Sequence, residues 1–256
     1  MKTSVVVDVG NTRIKWGLAT SEGLTAAAAL PAEDPAAWQS LLDCWQVNGS
    51  LRWIIAGVHP KRCGELVEWV RGQKQQVTLL EDWRRLPLTI RLDHPERVGI
   101  DRLLSGIAAN HRRLSDTPAV IVGAGTAVTV DWLDAEGVFR GGSIFPGLHL
   151  MARTLHEHTA LLPLVDVPTA PPALPGTSTP AAIQAGVFWS VVGGVRALIS
   201  QFAALENRPP QVFLTGGDAS LLMQALPSIS VSMPTTPVLW PWMTLEGIRL
   251  TAEALP

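Results

Sequence analysis

SVVVDVGNTRIKWG, residues Ser4 to Gly17, decides the fold that we predict for this chain. A run of valines, typical of a buried strand, leads into Asp8 and the turn Gly10-Asn11-Thr12, and a second strand then leaves. Gly10 has no Cβ, so the backbone can approach a ligand closely. The short polar groups and amides that follow suit phosphate oxygens, and Asp8 suits a hydrated Mg²⁺. The stretch predicts a hairpin with a phosphate-binding turn, although an ordinary hairpin explains the same residues.

A second hairpin of the same kind follows in the other half of the chain. Val120 to Asp131 reads VIVGAGTAVTVD, which is an apolar strand, a glycine-threonine bend and an alternating strand. The likeness between the bends at Gly125-Thr126 and at Gly10 predicts two related halves. Two such turns facing each other across a cleft would hold the phosphates of a nucleotide from both sides.

The composition is typical of a soluble globular protein. The length of 256 residues favours two domains. A net charge of −2 gives no basic face for nucleic acid, so we expect no nucleic-acid partner. Cys44 and Cys63 are too few for a disulfide framework, which favours a reducing compartment. The N-terminus shows no signal-peptide pattern, and the apolar segment Ala181 to Ile199 contains polar residues, so we expect a cytoplasmic protein without a membrane span.

Strand and helix patterns alternate along the chain. In the first half we predict strands over Leu24 to Leu30, residues 53–58 and Val77 to Leu80, with amphipathic helices between them. This order predicts an α/β fold with mixed sheets flanked by helices. In the second half, the Pro/Thr-rich connector Asp166 to Pro180 is expected to be irregular, and Met243 to Leu255 is expected to close the chain as a helix.

A candidate general base lies at the start of a strong helix. The residues VGIDR, Val98 to Arg102, open a helix whose apolar face includes Ile100 and Leu103. Asp101 and Arg102 fall in its first turn, where the helix dipole favours an acid even without a function. Near a nucleotide site, however, a possible base beside a cation that can bind a carboxylate also suits a functional role.

Seven motifs, in this order, resemble the type III pantothenate kinase family. They are DVGNTRIKWG, VGIDR, GAGTAVTVD, GGSIFPG, HTALLP, STPAAIQAG and LTGGDA, and they span nearly the whole chain. The resemblance implies two ribonuclease-H-like domains, 1–115 and 116–256, with a cleft between them, as in the acetate kinase, sugar kinase, Hsp70 and actin superfamily. It also implies a homodimer that phosphorylates pantothenate from ATP, the first step of coenzyme A biosynthesis, with Mg²⁺ and a monovalent cation, K⁺ or NH₄⁺.

The resemblance assigns site residues by position. Asp8 would hold Mg²⁺ through water, Asp101 would accept the proton of the pantothenate hydroxyl, and Arg102 would lie near the pantothenate carboxylate. The residues implied for ATP and its phosphates are Asp8, Val9, Gly10, Asn11, Thr12, Arg13, Ile14, Lys15, Gly125 and Thr126. The residues implied for pantothenate are Gly99, Ile100, Asp101, Arg102, His156 and Thr179.

Two positions depart from the family's pattern. Gly123 replaces the Asp that usually binds the monovalent cation, and Leu92 replaces a Tyr that commonly lines the pantothenate pocket. Two alternatives to a pantothenate kinase follow. Gly123 favours a weakened paralogue that binds ligand as a regulatory partner, and Leu92 favours a kinase for another small hydroxy acid.

Overall fold

The computed structural model describes residues 3–47, 49–206, 208–226 and 236–255. The chain forms two compact units. One unit holds the described residues up to His111 and those from Trp242 onward, and the other holds the described residues between Arg112 and Pro241. The domain ranges 1–115 and 116–256 stay a prediction, and the contacts of the closing helix place it with the first unit.

The helices and strands mostly lie where the sequence predicts them. The strands are β1 (Ser4–Val9), β2 (Arg13–Thr20), β3 (Gly23–Pro31), β4 (Arg52–Gly57), β5 (Gln76–Leu80), β6 (Ala119–Ala124), β7 (Ala127–Leu133), β8 (Phe139–Pro146), β9 (Gln211–Thr215) and β10 (Val238–Leu239). The α-helices are α1 (Pro35–Cys44), α2 (Pro60–Gly72), α3 (Ile100–Arg112), α4 (Leu148–Glu157), α5 (Thr179–Glu206), α6 (Ala219–Ala225) and α7 (Met243–Ala254). Two 3₁₀-helices cover Trp83–Arg85 and Pro95–Arg97. The sequence analysis did not predict β10.

Each unit is built on a five-stranded mixed sheet, and the two sheets share one topology. The strand orders are β3-β2-β1-β4-β5 and β8-β7-β6-β9-β10. In both sheets the first strand pairs antiparallel with the second and parallel with the fourth. The predicted α/β fold with mixed sheets and two related halves is therefore confirmed.

Tryptophan side chains fill the core on one face of the first sheet. The rings of Trp16, Trp38, Trp53 and Trp69, from β2, α1, β4 and α2, lie with centroids 5.4 to 6.4 Å apart. Such tilted and edge-to-face pairs add roughly 0.5 to 1.5 kcal/mol each beyond the burial of their area. This cluster joins both helices to the β1–β2 hairpin and so fixes the hairpin on the sheet.

Helix α7 holds α3 in place in the first unit. A Cβ on Gly247 would lie 1.9 Å from the carbonyl oxygen of Leu104, so the two helix backbones approach as closely as only glycine allows. Ser105 Oγ and Thr244 Oγ1 are hydrogen-bonded at 3.1 Å beside this contact. Because α3 carries Asp101 in its first turn, this packing determines where the carboxylate lies.

Helix α5 is the core helix of the second unit. Eight of its residues are buried, and they include Phe188 and Val191. In the described part of the chain it is the one helix long and apolar enough to cross a membrane, but 44% of its most apolar window is buried, as in the core helix of a soluble protein. Residues 167–177, all described, form no helix or strand, as predicted for the connector.

Candidate active site

The first turn presents its polar residues to solvent beside a buried carboxylate. Asn11, Thr12 and Arg13 are exposed, and the N–H of Gly10 donates to the carbonyl oxygen of Arg13 at 3.1 Å, which closes the turn. Asp8, at the end of β1, is only 5% exposed. Lys15 lies opposite Asp8 in the strand register, and its Nζ is 3.3 Å from Asp8 Oδ2. The predicted hairpin is present, and its turn has the donors and the carboxylate that were expected.

Residues from β4 and α2 hold this turn from the other side. The N–H of Val58 donates to the carbonyl oxygen of Val9 at 3.1 Å, and a Cβ on Gly57 would lie 2.6 Å from that same oxygen. The guanidinium of Arg62 donates to the carbonyl oxygen of Asn11. The turn is thus braced by the neighbouring parallel strand and by the helix that follows it.

Asp101 is held in one orientation by the start of α3. Its Oδ1 accepts the backbone N–H of Arg102 at 2.9 Å, and the same N–H lies 3.0 Å from the carbonyl oxygen of Gly99. A Cβ on Gly99 would lie 2.6 Å from Asp101 Oδ1, so only glycine leaves room for the carboxylate there. This explains the Gly-x-Asp-Arg order of the motif in physical terms.

The pKa of Asp101 is raised from 3.8 to about 6, first by burial and then by the negative charge of Asp8. The N–H of Arg102 and the charge of Lys15 act in the opposite direction. The structure therefore brings Asp8, Lys15 and Asp101 close enough to influence one another. At neutral pH the Asp101 carboxylate is mostly ionised but basic enough to accept a proton, which suits a general base.

The carboxylates beside the first turn fit an Mg²⁺ ion that is bound mainly by substrate oxygens and water. Magnesium usually takes one or two protein carboxylates together with phosphate oxygens and waters. Asp8 offers such a carboxylate at the mouth of the turn, with Asp101 nearby. The described residues contain no group of three or more acidic, His or Cys side chains able to form a complete metal site.

The second turn is held by glycines packed against its backbone. The N–H of Gly125 donates to the carbonyl oxygen of Ala127 at 3.1 Å. A Cβ on Gly147 would lie 2.1 Å from the carbonyl oxygen of Gly125, and a Cβ on Gly216 would lie 2.2 Å from that of Ala124. Gly216 has a φ of 102°, which also favours glycine. The three segments with Gly125-Thr126, Gly147 and Gly216 therefore converge at one point.

Asp218 adds a carboxylate beside this second turn. Its N–H donates to the carbonyl oxygen of Ala124 at 3.1 Å. Burial raises the pKa of Asp218, while the charge of His149, at the start of α4, acts in the opposite direction. Asp218 lies in LTGGDA, one of the seven motifs of the sequence analysis, whereas no signal in the sequence pointed to His149.

Gly123 lies opposite Thr129 in the β6–β7 ladder. A Cβ on Gly123 would lie 2.6 Å from Thr129 Oγ1, so a neutral hydroxyl fills the space beside the glycine. Asp131, which is 1% exposed, pairs with Ile121, two residue pairs further along the ladder, and is not opposite Gly123. These residues do not fit a monovalent cation held by a carboxylate at position 123.

The remaining predicted residues lie on the second unit. His156, in α4, is exposed, and its Nδ1 is 2.9 Å from the carbonyl oxygen of Leu162. Thr179 is exposed and begins α5. Their role in binding pantothenate stays a prediction.

Solved structures share this fold at low sequence identity. The activator of 2-hydroxyisocaproyl-CoA dehydratase from Clostridium difficile, with bound ADPNP, matches with a TM-score of 0.57 and 13% identity over 98% of this chain and 95% of that one. The (R)-2-hydroxyglutaryl-CoA dehydratase component A from Acidaminococcus fermentans matches with a TM-score of 0.56 and 14% identity over 98% of both chains. Together with the paired sheets and their turns, these matches define the fold class of the chain, in which two related α/β units are each built on a five-stranded mixed sheet.

Sequence comparison identifies the family within that class. The type III pantothenate kinase model matches residues 4–201. The type III pantothenate kinase of Gluconobacter oxydans (strain 621H) is 34% identical over 97% of this chain and 92% of that protein. That of Cereibacter sphaeroides (strain ATCC 17025 / ATH 2.4.3) is 42% identical over 55% of this chain and 53% of that protein. The chain belongs to the type III pantothenate kinase family, whose members use ATP to phosphorylate pantothenate in coenzyme A biosynthesis. The predicted family and reaction are therefore confirmed.

We expect the Asp101 carboxyl to titrate with a pKa of about 6 in the protein without nucleotide or metal. Carbon-13 NMR of the carboxyl groups measures this pKa directly. Because the protonated acid cannot accept a proton, kcat/KM for pantothenate should fall about tenfold per pH unit below that pKa. Asp8→Asn should lower the pKa of Asp101, since it removes a like charge. A pKa near 3.8 in the unmodified protein, or no shift in the variant, would contradict the arrangement of these carboxylates.

Proposed function

We propose that Asp101 is the general base of the pantothenate kinase reaction and that the Asp8–Lys15 turn binds the phosphates of ATP. The observation that carries this proposal is the placement of the Asp101 carboxylate, which is buried beside Asp8 and oriented by the N–H of Arg102, so that its pKa is raised. Phosphoryl transfer depends on positioning and charge stabilisation, and here the turn, Lys15 and Asp101 supply donors, a cation and a proton acceptor. Gly125 and Thr126 form the corresponding second turn for ATP.

Mg²⁺ would be held by Asp8, through water, together with the phosphate oxygens of ATP. The bound metal would supply neutralisation of the phosphate charge. The proposed pantothenate site includes the neighbours of the base in sequence, Gly99, Ile100 and Arg102. It also includes two residues of the second unit, His156 and Thr179, which the family motifs assign to pantothenate. We further propose a cytoplasmic enzyme.

The proposed function is tested by replacing the base. Asp101→Asn removes the proton acceptor while keeping the shape and the oxygen that accepts the N–H of Arg102. A positioned base contributes roughly 10²- to 10⁴-fold, so kcat should fall by about that factor while the dissociation constants for ATP and pantothenate change little. Turnover is measured with ATP, Mg²⁺ and pantothenate. Asp93→Asn, at an exposed position in the preceding segment, is the control. Turnover within about threefold of the unmodified enzyme would remove Asp101 from this role.

A further prediction concerns the effect of Gly123 on activation of the enzyme by K⁺. Because the carboxylate is missing at this position, we expect activity to change little when Na⁺ is replaced by K⁺ or NH₄⁺. In Gly123→Asp the new Cβ meets Thr129 Oγ1, so the double variant Gly123→Asp/Thr129→Ala gives the carboxylate room. The added carboxylate gives the cation one charged ligand. Turnover of the double variant should then be roughly tenfold higher in K⁺ than in Na⁺, and a tenfold ratio corresponds to about 1.4 kcal/mol. Thr129→Ala alone is the control. Strong activation of the unmodified enzyme by K⁺ would show that other oxygens bind the cation.

We also propose a homodimer in which α5 lies at the interface. In support, this helix has an exposed row of small residues, Ala182, Gly186, Ser190, Gly193 and Ala197, which allows close approach of another helix.

Light scattering should therefore give twice the mass of one chain. Gly193→Gln should weaken the dimer about 5- to 100-fold, since overpacking an interface costs roughly 1 to 3 kcal/mol. Gly64→Gln is the matched control, because Gly64 is also an exposed helical glycine and an added Cβ has nothing within 4 Å at either position. A monomer at micromolar concentration, or equal effects of the two variants, would contradict the proposal.

A further inference from the structure

Arg62 reaches the first turn from a helix outside the hairpin. It lies in the first turn of α2, where its backbone N–H donates to Nδ1 of the N-cap residue His59 at 3.4 Å. Its guanidinium donates to the carbonyl oxygen of Asn11 and, at 3.1 Å, to Glu33 Oε1. The side chain is 19% exposed, whereas that of Glu33 is 73% exposed. The cation is therefore held mainly on the turn, with Glu33 as an outer partner.

This contact determines the direction of one peptide plane in the turn. In a trans peptide the C=O of one residue and the N–H of the next point in opposite directions. Since the C=O of Asn11 points to Arg62, the N–H of Thr12 points in the opposite direction within the same peptide plane, away from Arg62. Amides arranged in this way in a tight turn form anion-binding concavities. The same contact keeps a carbonyl oxygen, which would repel phosphate, away from that side.

Other contacts hold the two ends of the turn. The N–H of Gly10 donates to the carbonyl oxygen of Arg13, and Val58 and Gly57 contact Val9. Arg62 contacts the middle of the turn, because it binds the carbonyl oxygen of the peptide that joins Asn11 to Thr12. Its positive charge is held by Asn11 and Glu33, whereas the charge of Lys15 is engaged with Asp8.

We infer that Arg62 is a positioning residue for ATP. It holds the Gly10–Thr12 turn in the conformation that receives the phosphates, and it does so from the face of the turn opposite to the amide of Thr12. The inference rests on the proposed role of this turn in binding ATP. Because Asp101 carries the proton transfer, Arg62 acts on the affinity for ATP more than on the chemical step.

Arg62→Gln tests the inference in the intact protein. The variant loses a hydrogen bond that a charged group donates at a partly exposed site. We therefore expect the KM for ATP to rise about tenfold. The KM for pantothenate and kcat should stay within about twofold, because loss of binding that is equal in ground and transition states raises KM alone. Arg62→Lys keeps the charge but not the planar fork, so it should recover part of the affinity for ATP.

Two further variants serve as controls. Arg71→Gln, on the same helix, removes an exposed arginine that forms a similar 3.1 Å ion pair with Glu68, and it should leave both KM values unchanged. Glu33→Gln should also have little effect, because exposed ion pairs contribute little. Urea unfolding of each variant shows whether the fold is retained.

The outcomes separate this inference from the proposed function. A KM for ATP within twofold of the unmodified enzyme in Arg62→Gln overturns the inference, and so do equal rises in both KM values with a lower unfolding midpoint. Lys15→Met tests the turn itself. If Lys15→Met raises the KM for ATP and Arg62→Gln does not, only the role of Arg62 fails. If neither variant changes the KM for ATP, the turn does not bind the phosphates, and both proposals fail.

Discussion

The burial of β1 on both faces is the constraint on which the first unit depends. All six residues of β1 are buried, with the tryptophan cluster and helices α1 and α2 on one side. A central strand of this kind must be apolar throughout, except where it emerges from the sheet. Asp8 lies at that point and is still 5% exposed, so its charge requires a partner, which Lys15 provides from the adjacent strand. The position of the reactive groups follows from where the apolar strand ends.

The buried position of Asp101 lowers the stability of the folded protein at neutral pH. Its pKa in the folded protein, about 6, lies above the ordinary value of 3.8, so the folded state binds the proton more tightly than the unfolded chain. The stability that this difference gives is fully present below pH 3.8 and is lost as the pH rises through about 6. At neutral pH the ionised carboxylate therefore destabilises the fold by about 2 to 3 kcal/mol relative to an unperturbed acid. A carboxylate that can accept a proton near neutral pH is obtained at that cost, and the close packing of α7 on α3 keeps it in place.

Local patterns were enough to predict most of the fold and part of the candidate site. The valine run, the amphipathic helices and the turn glycines act through neighbouring residues, so their signals can be read along the chain. β10 was missed because two residues have no period, and its pairing with β9 depends on a segment distant in sequence. Arg62 was missed for a related reason, since its partner Asn11 lies 51 residues away and an arginine near a helix start has an ordinary solvated explanation. The pKa of Asp101 could not be predicted either, because burial and the charge of Asp8 arise only from tertiary packing.

The two turns share a topology but are stabilised by different means, and the difference explains how Gly123 can be tolerated. The first turn depends on charged side chains as well as on backbone contacts, since Asp8, Lys15 and Arg62 all contact it or flank it. The second turn depends on backbone packing, with Gly147 and Gly216 against the carbonyl oxygens of Gly125 and Ala124. A turn held by backbone contacts keeps its shape when a nearby charge is lost, because those contacts involve no charged group. The second turn can therefore change its electrostatics without losing its conformation, whereas the first cannot lose a charged residue without leaving a buried carboxylate or a carbonyl oxygen without its donor.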